Sequence, residues 1–345
     1  MQLDWFRTPG VMGLLIGTES TMEKHLQKLL VTPTSFAAEE LEFARVLLEE
    51  SGYEVVYNQS GKPLETEQLV AAADDCVGIL AGLDDFSASV LKQLPDLRVI
   101  SRYGVGVDRI DLQAACRNGI VVTNTPGANS IAVAEMALTA MFALARHVAW
   151  LNETTRQGKW SRVGGTELSQ ATLGIVGYGS IGRALRKIVT GLEMKVLVYD
   201  PFFDPDTDPT VQCVELADLV RESNFISLHL PLTPATEGLF DASMFRLMSA
   251  GTFLINTSRG GIVDESAAAK ALETGQLAGF ALDAYEEEPP SPDHELFRFP
   301  NVIATPHSGA QTVQSHIRMA RGAVENLLGA LAGKPVTNLA SKPVS

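Results

Sequence analysis

The feature that most limits how this chain can fold is a steady alternation of short runs rich in Val, Ile and Leu with stretches of helical spacing. From Lys28 onward the runs KLLVT (28–32), YEVVY (53–57), CVGILA (76–81), LRVIS (97–101) and IVVTN (120–124) read as strands. Helical patterns separate them: Phe36 to Glu50, Glu65 to Ala73, Ser87 to Gln93 and Asp111 to Arg117. Leu41, Ala44, Leu47 and Leu48 share one face of the first helix, and Gly52 marks its stop. Strands alternating with helices in this way build a parallel sheet covered on both faces.

A second series follows: TLGIV (172–176), KVLVY (195–199), FISLHL (225–230), TFLIN (252–256), GFALDAY (279–285) and NVIATP (301–306). Between the two series lie Thr125-Pro126-Gly127, a long Ala-rich helix and a polar stretch from Gln157 to Gln170. The expected fold class is α/β, with two doubly wound parallel-sheet units. A last helix, 311–331, follows the final strand and is expected to cross back onto the first unit. That divides the chain into residues 27–124 with 310–335 and residues 125–309, and leaves 1–26 as an extension with no assigned role. Two crossings, near Asn124 to Gly127 and near Ser308 to Gln311, would make a hinge for closing a cleft.

Composition excludes several classes. With 46% hydrophobic residues in 345, the chain can bury two cores and is not disordered. A net charge of −14 repels phosphate backbones, so no nucleic-acid partner is expected. Cys76, Cys116 and Cys213 are odd in number and lack any CxxC spacing, so neither a disulfide framework nor a zinc site is expected. They read as small buried hydrophobes in a reducing compartment, which points to the cytoplasm. The apolar run Val11 to Gly17 has no cleavage site after it, and Ile131 to Trp150 carries Glu135, Arg146 and His147 on an Ala-rich background. A signal peptide and a membrane span are therefore both disfavoured, and the second segment reads as a buried or interface helix.

Gly177-Tyr178-Gly179-Ser180-Ile181-Gly182 is a GxGxxG placed directly after the strand Leu173 to Val176 and opening a helix, Arg183 to Val189. In that context the first glycine permits a tight turn, the second lets the backbone approach a pyrophosphate, and the third packs helix on strand. The helix N-terminus adds free N–H groups and partial positive charge. The next strand ends in Asp200, 18 residues past the third glycine. A carboxylate there accepts ribose hydroxyls and repels a 2′-phosphate, and Pro201, Phe202 and Phe203 bring no Arg. The expected cofactor is NAD rather than NADP.

Three polar residues follow strands on the side where an open α/β sheet has its crevice: Arg259 after TFLIN, Glu288 at the end of an acidic run after GFALDAY, and His307 after NVIATP. Hydride transfer at an alcohol carbon needs a group that exchanges the hydroxyl proton, a task for His, and a cation that holds an adjacent carboxylate, a task for Arg. A carboxylate on the second imidazole nitrogen fixes the tautomer of such a His. Each residue also has a plainer reading: Arg259 as a surface cation, Glu286 to Glu288 as a solvated loop, His307 as a structural histidine. His25, His147, His294 and His316 are read as structural. No metal is expected, because the histidines are scattered.

GYGSIG with Asp200, NTSRGGIVDE, LDAYEEEPP and TPHSG occur in that order, preceded by RYGVGVDRIDL (102–112) and NTPGANSIAVAEMAL (124–138). Together they resemble the D-2-hydroxyacid dehydrogenase family, and most nearly its D-3-phosphoglycerate dehydrogenases, over residues 28–331. The resemblance implies that Arg259 binds the substrate carboxylate and carbonyl, that Glu288, the glutamate just before the proline, supports the histidine, and that His307 is the general acid/base. It implies that Asp283 holds the nicotinamide carboxamide, that His229, Pro231 and Thr233 lie beside the adenosine half, and that Thr257 and Gly309 also border the cofactor. Backbone N–H groups of Val105 and Gly106 would complete the carboxylate site. The implied architecture is a discontinuous, flavodoxin-like substrate-binding domain with an inserted Rossmann NAD-binding domain, assembled as a homodimer through the latter with the Ala-rich helix near the partner.

The substrate is where the likeness thins. Arg102 stands where phosphoglycerate enzymes often place a phosphate-binding Arg, but the loop Ala81-Gly82-Leu83-Asp84-Asp85 is acidic where a second basic residue is often found. The expected partner is a small 2-hydroxy or 2-oxo acid, with D-3-phosphoglycerate the first guess and glyoxylate or hydroxypyruvate the alternative. A corepressor-like NAD-sensing protein would share the fold and the three polar residues. The chain stops soon after its last helix, so an appended regulatory domain with serine feedback is not expected.

Overall fold

The computed structural model describes residues 26–341; the Val11–Gly17 run, His25 and the rest of the N-terminal extension up to residue 25 lie outside them. Two sheets form the framework. The first contains β1 (Lys28–Val31), β2 (Glu54–Tyr57), β3 (Cys76–Ala81), β4 (Val99–Arg102) and β5 (Val121–Thr123). The second contains β6 (Thr172–Val176), β7 (Lys195–Tyr199), β8 (Gln212–Cys213), β9 (Phe225–Leu228), β10 (Thr252–Asn256), β11 (Leu277–Leu282) and β12 (Val302–Ala304). Strand order is 5-4-3-1-2 in the first and 12-11-10-9-6-7-8 in the second, all parallel. These are the two common doubly wound orders, and each reverses direction at one point: between β1 and β3, and between β6 and β9.

One strand departs from the all-parallel expectation. β13 (Leu339–Ser341) runs antiparallel along β5 and covers that edge. Its three residues are too few to carry a periodic signal, and edge coverage is a tertiary event.

Helices α1 (Glu42–Glu49), α2 (Thr66–Ala72), α3 (Ala88–Leu91) and α4 (Leu112–Arg117) belong to the first unit. The first is shorter than the expected 36–50, because residues 34–41 form two 3₁₀ turns broken at Ala38, whose ψ of 146° is extended. Arg45 explains the arrangement: its Nη1 donates to the carbonyls of Phe36 and Ala38, each at 2.8 Å, which a continuous helix would need for itself.

The Ala-rich helix also differs from its expected form. It divides into α5 (Ser130–Ala145) and α6 (Val148–Arg156), bent by 60° where His147 adopts φ 53°. Among the described residues no single helix is long and apolar enough to cross a membrane. Ala134, Ala137, Met141 and Ala145 of α5 are buried against the second sheet and Leu185 of α7 (Ser180–Val189). The second unit is completed by α8 (Leu216–Glu222), α9 (Ala242–Leu247) and α10 (Glu265–Glu273). The chain then returns: α11 (Val313–Leu331) packs Met319, Ala320, Ala323, Val324 and Leu327 against Leu29, Leu80 and Val99 of the first sheet. Ser101 donates to the Ala323 carbonyl at 2.8 Å, and Asn326 to that of Asn124 at 2.9 Å.

Candidate active site

Both reversal points open toward one cleft, and strand ends dictate what lines it. At the end of β6, Gly177 takes φ +95°, a backbone shape L side chains rarely adopt, and a Cβ there would lie 2.6 Å from the His229 carbonyl oxygen beyond β9. A Cβ on Gly182 would meet the Gly177 oxygen at 2.4 Å, so the third glycine is required by helix-on-strand packing. Gly179 faces open space, which leaves the start of α7, with Ser180 and Ile181, bare toward the cleft. Asp200 grips the loop from β7: its Oδ2 accepts from the Tyr178 N–H at 2.7 Å and its Oδ1 from that of Phe202 at 2.9 Å.

A cavity of about 530 Å³ runs from this turn to the first unit, past Ser180, His229, Pro231, Thr257, Asp283 and Gly309. On its lining residues the buried polar atoms Asn129 Oδ1, Ser130 Oγ, His229 Nδ1 and Thr257 Oγ1 are among those with no hydrogen-bond partner among the described residues. Unmet buried polar groups are costly, so a polar ligand that reaches them is the natural occupant. Burial pushes the His229 imidazole down to about 3, and its Nε2 lies 3.0 Å from Ser227 Oγ, so a neutral ring presents Nδ1. These atoms, the open glycine and the bare helix start fit a dinucleotide. Of the expected cofactor residues, Gly177, Gly182 and Asp200 shape the turn from behind the cavity lining, and Thr233 is also off it: its N–H and hydroxyl close a turn on Thr236, at 2.8 and 3.1 Å. Tyr178 is buried in the core, with its N–H taken by Asp200.

Asp283 does more than border the cavity. Its Oδ1 accepts from Thr305 Oγ1 at 2.6 Å and the Ser308 N–H at 2.7 Å, and its Oδ2 from the Gly309 N–H at 2.7 Å. The carboxylate thus fixes the chain on both sides of His307, which sits at φ 52°. His307 Nδ1 lies 2.9 and 3.1 Å from the two oxygens of Glu288, leaving Nε2 to the cleft. For Glu288, burial works to raise the carboxyl pKa, but the hydrogen bond and charge of His307, the Tyr285 N–H at 3.2 Å and the nearby Arg109 outweigh it and hold the group below its ordinary value.

Arg259 emerges from β10 on a loop locked by Asn256, which accepts from the Ser258 N–H and hydroxyl and donates to the Arg259 carbonyl at 2.8 Å. Its guanidinium reaches across to the first unit. Nε and Nη2 each lie 2.7 Å from Asp108 Oδ2, and Nη1 donates to the Ser258 carbonyl at 2.7 Å. A Cβ on Gly106 would come within 1.9 Å of Nη2, so only glycine lets this contact form. No protein acceptor among the described residues takes the N–H of Val105 or Gly106. Arg102, Gly106, Asp108, Arg109, Arg259, Glu288 and His307 line a second cavity of about 690 Å³.

Arg102 is less available than expected. Its Nη1 donates to the Tyr103 carbonyl and lies 3.5 Å from that of Ala81; burial, then the charge of Arg259, bring the guanidinium down to about 10. Asp84, expected to oppose a phosphate, is turned inward onto the Thr32 hydroxyl and the Leu64 N–H. Sequence reasoning missed Asp108 and Arg109. They lie inside the RYGVGVDRIDL motif, so position was the only available signal.

Fold and cleft together define a two-unit α/β protein with a dinucleotide-type crevice beside an imidazole–carboxylate pair. Residues 138–309 match the family model described as D-isomer specific 2-hydroxyacid dehydrogenase, NAD binding domain. The chain is 37% identical over 300 residues to a glyoxylate reductase of Thermofilum pendens, covering 84% of this chain and 88% of that one. It is 40% identical over 260 residues to a D-3-phosphoglycerate dehydrogenase of Archaeoglobus fulgidus, covering 74% and 49%. The crystal structure of NAD+-bound 3-phosphoglycerate dehydrogenase from Entamoeba histolytica superposes with a TM-score of 0.79 at 29% identity, covering 92% and 100%. The chain belongs to the D-isomer specific 2-hydroxyacid dehydrogenase family. It spans about half the length, 49% and 56%, of the D-3-phosphoglycerate dehydrogenases of Archaeoglobus fulgidus and Pan troglodytes that it matches.

Proposed function

We propose that the protein interconverts a D-2-hydroxy acid and its 2-oxo partner with NAD, and that D-3-phosphoglycerate is the first substrate to test. The observation that carries the reading is His307, held through Nδ1 by Glu288 with Nε2 toward the cleft that Arg259 also enters. Arg259 and the N–H groups of Val105 and Gly106 hold the substrate carboxylate. In reduction His307 Nε2 gives its proton to the keto oxygen, and the Glu288 carboxylate stabilises the imidazolium that precedes this step; in oxidation Nε2 takes the hydroxyl proton. Nicotinamide, when bound, supplies or accepts the hydride. Asp200 supports NAD over NADP by placing a carboxylate at the end of β7.

The same reading gives residues 27–124 with 310–335 to the substrate and 125–309 to the cofactor. It includes a cytoplasmic homodimer joined through the second unit, which the exposed Ile131, Phe142 and Val148 on α5 and α6 support. A second substrate reading, glyoxylate or hydroxypyruvate, is favoured by the engagement of Arg102 with backbone carbonyls and by Asp108 in the cavity. The test is loss of NADH absorbance with phosphohydroxypyruvate, hydroxypyruvate and glyoxylate. Turnover of the phosphorylated acid alone supports the first reading, and preference for the other two supports the second. Failure on every 2-oxo acid, with NADH-dependent capture of a protein, would sink both and favour the sensing role.

A further inference from the structure

Glu265, the first residue of α10, is a carboxylate with only 8% of its surface exposed, and nothing in the proposed chemistry uses it. A buried charge persists only where donors satisfy it. Two do. Its Oε1 accepts from the Glu286 N–H at 3.0 Å, and its Oε2 lies 2.8 Å from His294 Nε2. The tautomer follows from the other nitrogen: His294 Nδ1 accepts from the Leu296 N–H at 3.3 Å, so Nε2 carries the proton and donates to Glu265. Glu286 returns the contact, its Oε1 accepting from the Glu265 N–H at 3.3 Å.

The peptide gripped in this way is the one that carries the acid/base pair. Tyr285, next to Glu286, donates its N–H to Glu288 Oε1 at 3.2 Å, and its hydroxyl donates to the Thr305 carbonyl at 2.9 Å, two residues before His307. Its ring meets His294 edge-on at 6.2 Å. On the opposite side Gly260, adjacent to Arg259, lies so close that a Cβ would fall 1.8 Å from the Tyr285 carbonyl carbon.

We propose that Glu265 and His294 are positioning residues that clamp the Tyr285–Glu286 peptide, and through it set the distance from Glu288 to His307. The clamp rests on the acid/base reading of that pair. Without it the 285–288 loop loses the acceptor of its Glu286 N–H, and the carboxylate drifts from the imidazole.

Glu265→Ala, Glu265→Gln and His294→Ala are compared with the parent by steady-state kinetics across pH and by amide hydrogen exchange of residues 285–288. For Glu265→Ala the expected result is a fall in kcat for 2-oxo acid reduction of about 10-fold or more, because misplacement of about 1 Å can cost 10²-fold. NADH affinity stays unchanged, the pH profile of kcat departs from the parent's as the Glu288–His307 contact loosens, and exchange over 285–288 quickens about 10-fold. Glu265→Gln keeps an acceptor for Glu286 and restores most of each effect; His294→Ala falls between and serves if Glu265→Ala does not fold. Unchanged exchange and an unchanged pH profile, or a lower kcat with neither, overturns the clamp. A parent protein inert toward every 2-oxo acid overturns the proposed function instead, and hydrogen exchange still decides the clamp.

Discussion

The two walls of the cleft are built on different principles. Around the acid/base pair, the wall from the second unit satisfies its polar groups internally: Asn256 locks the Arg259 loop, Asp283 takes three donors around His307, and Glu288 is held by His307 and Tyr285. The wall from the first unit offers backbone N–H groups at Val105 and Gly106 that have no acceptor among the described residues, a cation folded onto carbonyls, and Asp108, whose partner Arg259 belongs to the other unit. The rigid wall has the means to perform the chemistry, and the adaptable wall faces whatever is to be chosen. Geometry on the first should therefore govern kcat, and geometry on the second should govern KM.

The sharpest break of that division is His307→Ala. It should lower kcat by about 10²- to 10⁴-fold, the usual worth of a general acid/base, while NADH affinity measured by fluorescence titration holds. A variant that keeps its turnover would move the acid/base role off the second wall. Gly260→Ala comes next, since its methyl group must displace the Tyr285–Glu286 peptide. A lower Tm is expected, since the methyl group meets backbone beside the buried Tyr285, and with it a fall in kcat of about 10-fold or more in protein still folded at the assay temperature, because the reacting groups are displaced. A lower Tm with kcat unchanged would show that the contact serves the fold alone.

Asp108→Ala tests the other wall. Asp108 takes the Nε/Nη2 edge of Arg259 and leaves the Nη1/Nη2 end for a substrate carboxylate, so its loss frees the guanidinium to swing. KM for the 2-oxo acid should rise about 10-fold, equivalent to about 1.4 kcal/mol, with kcat changing less. A fall in KM would instead make Asp108 a competitor for the same fork.

The same contrast marks what could be read beforehand. Gly177, Gly179, Gly182, Arg259 and His307 stood out because each follows a strand end, where an α/β sheet places its crevice, whereas Asp283 lay inside the expected 279–285 strand and was singled out only by the likeness of LDAY. Glu288 was ambiguous within its acidic run until the likeness of LDAYEEEPP singled it out, and Tyr285, which contacts it, lies in a loop rather than in the expected 279–285 strand. Asp108 was not legible, since its partner lies 151 residues away and only closure of the two units pairs them. The αL turn at His147 and the 3₁₀ turns before α1 were hidden for a related reason: apolar spacing there continues through a break imposed by side-chain contacts such as those of Arg45.

The smallest expected effect lies in the stability of the rigid wall against acid. Glu288 is held below its ordinary carboxyl value, so its ionised form is favoured by the fold. That contribution is full above the ordinary carboxylate range and is lost as pH falls through the depressed folded value. With the side chains of Glu288 and His307 26% and 37% exposed, solvent screening limits it to about 1 kcal/mol or less. Glu288→Gln removes the titrating group, so urea midpoints of parent and variant should differ most near neutrality and converge as the buffer is acidified. A gap that stays constant or widens toward acid would mean that the Glu288–His307 contact does not favour the charged carboxylate, and the second wall would lose the property that sets it apart from the first.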